Sequence, residues 1–176
     1  MIVSNQQREE NFQEYLRLLH DPNYYEVIFD DDSGGVSAIH REHCFDKQIG
    51  PFGYRRGQYE VYVANILRRC GHSVLLESEY PKGQRVKTCD ALIDGSFSEI
   101  KTVESNGRWS SRTKVYSAIK KGAEVLVLYY PNSDLFSEEK ILEGWFINTS
   151  QTQPVSLKKI IWVKEERVVE MLKPPG

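Results

Sequence analysis

The sequence predicts an α/β fold built on a mixed β-sheet, and three observations carry that prediction. Apolar periodicity changes along the chain in the order helix, three strands, helix, strand, which is the arrangement of an α/β core. Asp94-Gly95 stands between two strand-like runs, and Asp-Gly is among the best sequences for a type I′ hairpin turn. Glu124 to Tyr130 is almost continuously apolar, as expected of a central strand covered on both faces.

The elements follow in order. Asn5 to Leu19 place Phe12, Tyr15, Leu16 and Leu19 at helical spacing, and Asp21-Pro22 ends that helix. Tyr24 to Phe29 reads as a strand, Asp30 to Gly35 as an acidic turn, and Val36 to Ile39 as the returning strand of a hairpin. The stretch HREHCFDKQIGPFGYRRGQ contains Gly50, Pro51, Gly53 and Gly57 and reads as a loop. It marks the boundary between an α/β extension, residues 1–56, and a core domain, residues 57–176. From Gln58, an apolar helical stripe runs through Tyr59, Tyr62, Val63, Ile66 and Leu67, with Gly71 as its C-terminal signal. Ser73 to Leu76 is a short buried strand, and Lys87 to Ile93 with Ser96 to Thr102 are the two strands around Asp94-Gly95. A polar loop, Glu104 to Ser110, leads into a helix over Ser111 to Lys121 closed by Gly122. Ser111 and Thr113 are candidate caps there, and Lys120 and Lys121 suit the C-terminal dipole. After the central strand come a short helix near Ser137 to Leu142 and a strand pair, Lys159 to Val163 and Arg167 to Met171.

A chain of 176 residues buries enough surface to fold without disulfides. Its composition, 40% hydrophobic and 27% charged, excludes general disorder. No apolar run is long enough to span a bilayer, and MIVSNQQREENF lacks the apolar region of a signal peptide. Cys44, Cys70 and Cys89 are odd in number and lack paired spacing, so reduced thiols and a cytoplasmic location are expected. The formal net charge of −2 does not decide for or against nucleic acid; any basic surface must be local.

With Asp94 and Gly95 as the turn, Ile93 pairs with Ser96, Leu92 with Phe97, Ala91 with Ser98, and Asp90 with Glu99. Directly opposed residues have Cβ atoms roughly 4.5–5.5 Å apart, and strand alternation puts Lys101 on the side of Glu99. Two opposed carboxylates repel, and the apolar neighbours on both faces worsen the repulsion by partial burial. A proton, Lys101 or a divalent cation must offset it. Asp90 and Glu99, with a backbone carbonyl and waters, form the hard-oxygen set that Mg2+ or Mn2+ prefers. A cation held there polarises a phosphate and acidifies a bound water, while Lys101 orients the attacking water or neutralises developing charge. Glu60, at the edge of the helical stripe, is a further candidate acid. A D-x8-E-x-K spacing alone is common by chance and usually marks a solvated strand face. The Asp-Gly register, the mixed burial and the Glu60 helix together favour a site.

These residues carry a resemblance. KTCDALIDGSFSEIKTVES resembles the catalytic hairpin of the PD-(D/E)xK nuclease superfamily, which includes restriction endonucleases and Holliday-junction resolvases, although Thr88-Cys89 stands where a Pro usually precedes the Asp. The resemblance implies a restriction-endonuclease-like core, Asp90 and Glu99 as metal ligands, Lys101 as the catalytic lysine and Glu60 as a helix-borne acid and further ligand. Gly57 to Tyr130 is similar to the C-terminal tRNA-cleaving domains of contact-dependent growth inhibition toxins, and GGVSAIHREHCFD resembles segments preceding such domains in phage head-associated proteins. This implies a metal-dependent endonuclease with RNA, particularly tRNA, as substrate and an immunity protein as partner. DNA cleavage, as by an endonuclease or resolvase, is the close alternative. A non-catalytic phage structural protein with a nuclease-like fold is the alternative of a different class, and intact Asp90, Glu99 and Lys101 argue against it.

Other candidates lie outside this motif. Arg108, Arg112 and Lys114 beside Trp109 suit a single-stranded or flipped nucleotide through phosphate contacts and stacking; a polar connection with Trp109 packed on the core is an equal reading. Arg55 and Arg56, after Tyr54, are candidate phosphate contacts. His40 and His43, near Cys44 and Asp46, lack the well-spaced further ligands of a zinc site and suggest a structural or surface role. Lys158, Lys159 and Lys164 read as a solvated face. Phosphate-loop, dinucleotide-glycine and Ser-His-Asp signatures are missing.

Overall fold

The computed structural model describes residues 3–78, 89–107, 109–149 and 156–172. In chain order these form α1 (Asn5–Leu19), β1 (Tyr24–Phe29), β2 (Val36–His40), α2 (Arg56–Arg69), β3 (Ser73–Leu76), β4 (Ala91–Ile93), β5 (Ser96–Thr102), α3 (Ser110–Lys120), β6 (Val125–Tyr130), α4 (Glu138–Thr149), β7 (Lys159–Lys164) and β8 (Arg167–Leu172). All eight strands join one mixed sheet whose spatial order is the chain order. The parallel joins, β2–β3, β5–β6 and β6–β7, are those bridged by α2, α3 and α4, because a parallel return needs a long crossover. The strands of residues 1–56 therefore continue the sheet of the remainder.

Helix α1 has the expected span but a different buried face. Ser4 caps it, its hydroxyl accepting from the Gln7 N–H at 3.1 Å. Leu18 and Asn11 are buried, whereas Phe12, Leu16 and Leu19 of the expected apolar stripe stay 37–50% exposed. The cause is a polar anchor: the Asn11 amide donates to the carbonyls of Gly34 (2.8 Å) and Gly71 (3.0 Å) and turns the helix onto that side. Gly35 shows how closely α2 approaches the β1–β2 turn, since a Cβ there would lie 1.9 Å from the Arg68 carbonyl oxygen.

Helix α2 begins at Arg56, inside the stretch read as loop, and buries Tyr59, Val63, Ala64, Ile66 and Leu67. It covers one face of the sheet with Val74, Leu76, Ile93, Ile100 and Val127. Helices α3 and α4 cover the other face over Leu126, Leu128, Ile160 and Trp162. Every residue of β6 is buried, so the apolar run is a central strand with both faces covered. Each fully buried aliphatic side chain here stabilises the fold by roughly 1.5–3 kcal/mol. Helix α4 runs past Leu142, because Ile141 and Trp145, four residues apart, are both buried against that second core. Among the described residues, no helix is long and apolar enough to cross a membrane.

Candidate active site

The hairpin turn is of the expected kind. Asp94 (φ 49°) and Gly95 (φ 78°) both occupy the left-handed region, as a type I′ turn requires. The register is Ile93–Ser96, Leu92–Phe97 and Ala91–Ser98. Strand β4 starts at Ala91, so Asp90 lies one residue outside the ladder rather than paired in it with Glu99; Lys87 and Thr88 lie outside the described residues. An Asp90 Oδ2 accepts the backbone N–H of Ile100 at 3.1 Å, which fixes the carboxylate beside the strand it would have paired with.

Asp90, Glu99 and Lys101 come together. Lys101 Nζ lies 2.7 Å from Glu99 Oε2 and 3.5 Å from Asp90 Oδ2. A fourth residue joins them: Lys121 Nζ lies 2.7 Å from Glu99 Oε1 and 3.7 Å from Asp90 Oδ1. Lys121 is the C-cap of α3, read from sequence as a dipole partner; its contact crosses from a helix end to β5, and no local pattern signals it. Among the described residues, two carboxylates and two ammoniums make the cluster formally neutral. Glu99 is fully buried. Burial and the neighbouring Asp90 carboxylate raise its pKa above the ordinary value, and the two lysines offset only part of this. Burial opposes the Lys101 charge, but Asp90 and Glu99 outweigh it and hold that ammonium above the usual lysine range.

A cavity of about 710 Å³ opens beside the cluster, walled by Asp90, Lys101, Glu104, Lys114 of α3, and Arg56 and Glu60 of α2. Thr102, the last residue of β5, also lines it, so the cavity sits at a strand end where helices from both faces of the sheet meet. Asp90 and Lys101 face the open space; Glu99 is sealed behind them. Glu60 comes from the opposite face and is held there by His43, whose Nε2 lies 2.7 Å from Glu60 Oε2. The other ring nitrogen, Nδ1, lies 2.6 Å from the Glu77 carbonyl oxygen. A carbonyl only accepts, so Nδ1 carries a proton, and the contact between Nε2 and Oε2 then needs a second one. The pair therefore holds one proton between ring and carboxylate on the far wall.

Asp90 and Glu99 are hard oxygen donors, and Mg2+ is commonly held by one or two carboxylates with waters completing its shell. The donor set fits such a cation, provided an ammonium gives up its place, since both Glu99 oxygens lie 2.7 Å from a lysine. Among the described residues, no group of three His, Cys, Asp or Glu side chains is gathered, so Glu60 does not join Asp90 and Glu99 as a third acid.

Of the remaining candidates, Arg56 and Lys114 wall the cavity and the other described ones do not line it. Arg56 is bound by Glu104, with Nη2 2.8 Å from Oε2, so its charge is already paired. Burial lowers the Lys114 pKa although Glu104 works against it. The Arg112 guanidinium lies 4.7 Å from the centre of the Trp109 ring, which is half exposed rather than packed in the core. Arg55 lines an adjoining recess that shares Phe45, Asp46 and Lys47 with the charged cavity, and Arg108 lies outside the described residues. Neither expected cap of α3 is used: Trp109 is the N-cap without a side-chain bond, Thr113 Oγ1 donates to the Trp109 carbonyl at 2.8 Å, and Ser111 is buried. His40 packs its ring edgewise on Tyr24 at 5.2 Å.

One solved structure is similar in fold, a chain of the "CdiA-CT/CdiI toxin and immunity complex from Burkholderia pseudomallei". The likeness has a TM-score of 0.51 at 18% identity, and covers 78% of this chain and 99% of that one. No protein-family model matches the chain, and no curated protein matches it.

Proposed function

We propose that the protein is a metal-dependent endonuclease that hydrolyses phosphodiester bonds, with RNA, particularly tRNA, as its substrate. The observation that carries this reading is the burial of Asp90 and Glu99 together, with Lys101 spanning both at the wall of an open cavity. Repelling buried carboxylates raise the folded state's free energy unless a positive partner serves them, and they are retained where that partner does chemistry. Residues 57–176 are the nuclease domain, with a restriction-endonuclease-like core of α2, β3–β5, α3 and β6, and residues 1–56 are an extension on its edge.

Asp90 and Glu99 would hold Mg2+ or Mn2+, which supplies Lewis acidity toward a phosphate oxygen and lowers the pKa of a bound water. Lys101, reaching the cavity from between the carboxylates, neutralises charge that develops on the phosphate as water attacks. Lys121 keeps the buried Glu99 charge balanced from behind. Lys114 lines the approach and draws in the phosphate backbone. His43 and Glu60 keep a proton on the far wall, where a departing oxygen can take it. The fold shared with a chain of a toxin and immunity complex supports a toxin role and an immunity protein as partner. DNA is the second substrate reading.

The test is incubation of purified protein with tRNA and with plasmid DNA, in Mg2+, in Mn2+ and in EDTA, beside Glu99→Gln and Lys101→Ala. Cleavage that needs metal and disappears in both variants is expected, with tRNA cut in preference. Folded protein that cuts neither substrate overturns the proposal and leaves a nucleic-acid-binding or structural protein with a nuclease-like fold.

A further inference from the structure

A second cavity, of about 500 Å³, lies beside the first and is lined by Phe52, Tyr54, Gln58, Tyr59, Tyr62, Tyr129 and Pro131. Its rings form a chain: Tyr54 to Tyr59 at 6.2 Å between centroids, Tyr59 to Tyr129 at 5.3 Å, and Tyr129 to Tyr62 at 5.5 Å. Tyr54 and Tyr62 are 61% and 39% exposed. Tyr59 is only 8% exposed, yet among the described residues its hydroxyl has no hydrogen-bond partner, a state that native interiors avoid. Among the described residues the lining has no charged side chain, which suits a flat, uncharged group rather than a phosphate or a carboxylate. Gln58 supplies an amide, with both a donor and an acceptor.

Position selects the occupant. Helix α2 sends Arg56 and Glu60 to the charged cavity, and Gln58, Tyr59 and Tyr62 to the aromatic one. Thr102 of the charged cavity is the β-ladder partner of Tyr129 in the aromatic one, and neighbouring strands are about 4.8 Å apart. A strand whose phosphate reached Lys101 would bring an adjoining base toward the tyrosines. We infer that the aromatic cavity is a stacking site for one unpaired nucleobase, with Tyr54 and Tyr62 holding its faces and Gln58 meeting its edge. This rests on the nuclease reading and narrows it: the substrate is single-stranded where it is cut, because a base paired inside a duplex cannot enter.

The test separates base binding from cleavage. Adenosine and uridine, which lack phosphate, are titrated into protein with labelled tyrosine rings, and the ring resonances of Tyr54, Tyr62 and Tyr129 are followed by NMR. Binding of a fluorescein-labelled single-stranded RNA decamer in EDTA is measured by anisotropy for wild type, Tyr54→Ala/Tyr62→Ala and Tyr54→Phe/Tyr62→Phe, with thermal melts confirming that each is folded. Nucleosides should shift those resonances. The double alanine variant should bind the decamer about tenfold more weakly, and the phenylalanine variant, which keeps its rings, within about twofold of wild type. Folded variants with unchanged affinity and silent tyrosines overturn the stacking site, even if the wild type cuts RNA. Shifted tyrosines with no cleavage in any metal leave the site standing and overturn the nuclease reading instead.

Discussion

The two ends of the β4–β5 hairpin hold acids of the same chemistry in opposite states. At the turn, the Asp94 carboxylate accepts the Ser73 N–H at 2.9 Å and lies 2.7 Å from His72 Nδ1. Burial works against that charge, but His72 and Ser73 outweigh it and hold Asp94 below the usual carboxylate range. At the open end, burial and Asp90 push Glu99 up despite two lysines in contact. Asp94 has partners that satisfy it, and its role is to hold a turn. Glu99 is buried beside a second carboxylate, and its two lysines offset this only in part, so it marks where chemistry is expected.

The contrast breaks hardest under substitution at the open end. Glu99→Gln removes one carboxylate without changing the shape of the side chain, and Lys101→Ala removes the group aimed into the cavity. Each should lower the rate of tRNA cleavage in Mg2+ by about 10²–10³-fold or more, read from single-turnover assays. Lys101→Ala should also destabilise the fold by about 3 kcal/mol in urea titrations, because among the described residues it leaves Lys121 as the one cation beside Asp90 and Glu99. A Lys101→Ala protein that cuts at wild-type rate would remove the distinction between the two ends.

The pH dependence of stability should run in opposite directions at the two ends. Glu99 binds its proton more tightly folded than unfolded, so its contribution is full below 4.5, the ordinary glutamate value, and is lost as pH rises through its raised folded pKa. Asp94 is depressed, so its contribution is present above 3.8, the ordinary aspartate value, and is lost as pH falls through its folded pKa. In urea unfolding across pH 3–8, Glu99→Gln should gain on wild type as pH rises, and Asp94→Asn should flatten the acid side alone. If both variants shift the same limb, the two acids share one network and the comparison fails.

What was legible in the sequence follows from how local each cause is. Alternation about Asp94-Gly95 is local, and it gave the register from Ile93–Ser96 to Ala91–Ser98 and placed Lys101 beside Glu99. The span of α1 was legible, but its buried face was not, because the Asn11 anchor needs the carbonyls of Gly34 and Gly71. Lys121 looked like any helix-ending lysine, and only the packing of α3 on β5 brings it to Glu99. Glu60 was placed on the correct helix, but its partner His43 comes from the preceding loop. The aromatic cavity was hidden for the same reason: Tyr59 and Tyr62 read as core stripe, and Tyr129, far along the chain, completes the ring chain.

Smaller effects sharpen the structural end. Asp94→Ala removes the contacts to His72 and to the Ser73 N–H, and should cost about 1–3 kcal/mol in urea with cleavage kept in the folded fraction. Gly95→Ala should cost least, about 1 kcal/mol. A Cβ at Gly95 meets no atom within 4 Å, so the whole penalty is the left-handed backbone at φ 78°. Gly95→Asn should recover part of it, since Asn tolerates that region. Cleavage per folded molecule should stay at the wild-type rate in both, because the turn residue touches none of the four charged groups at the far end. A rate that falls further than the melt explains would mean that the turn sets the spacing of Asp90 and Glu99 through the register, and the hairpin would then act as one unit.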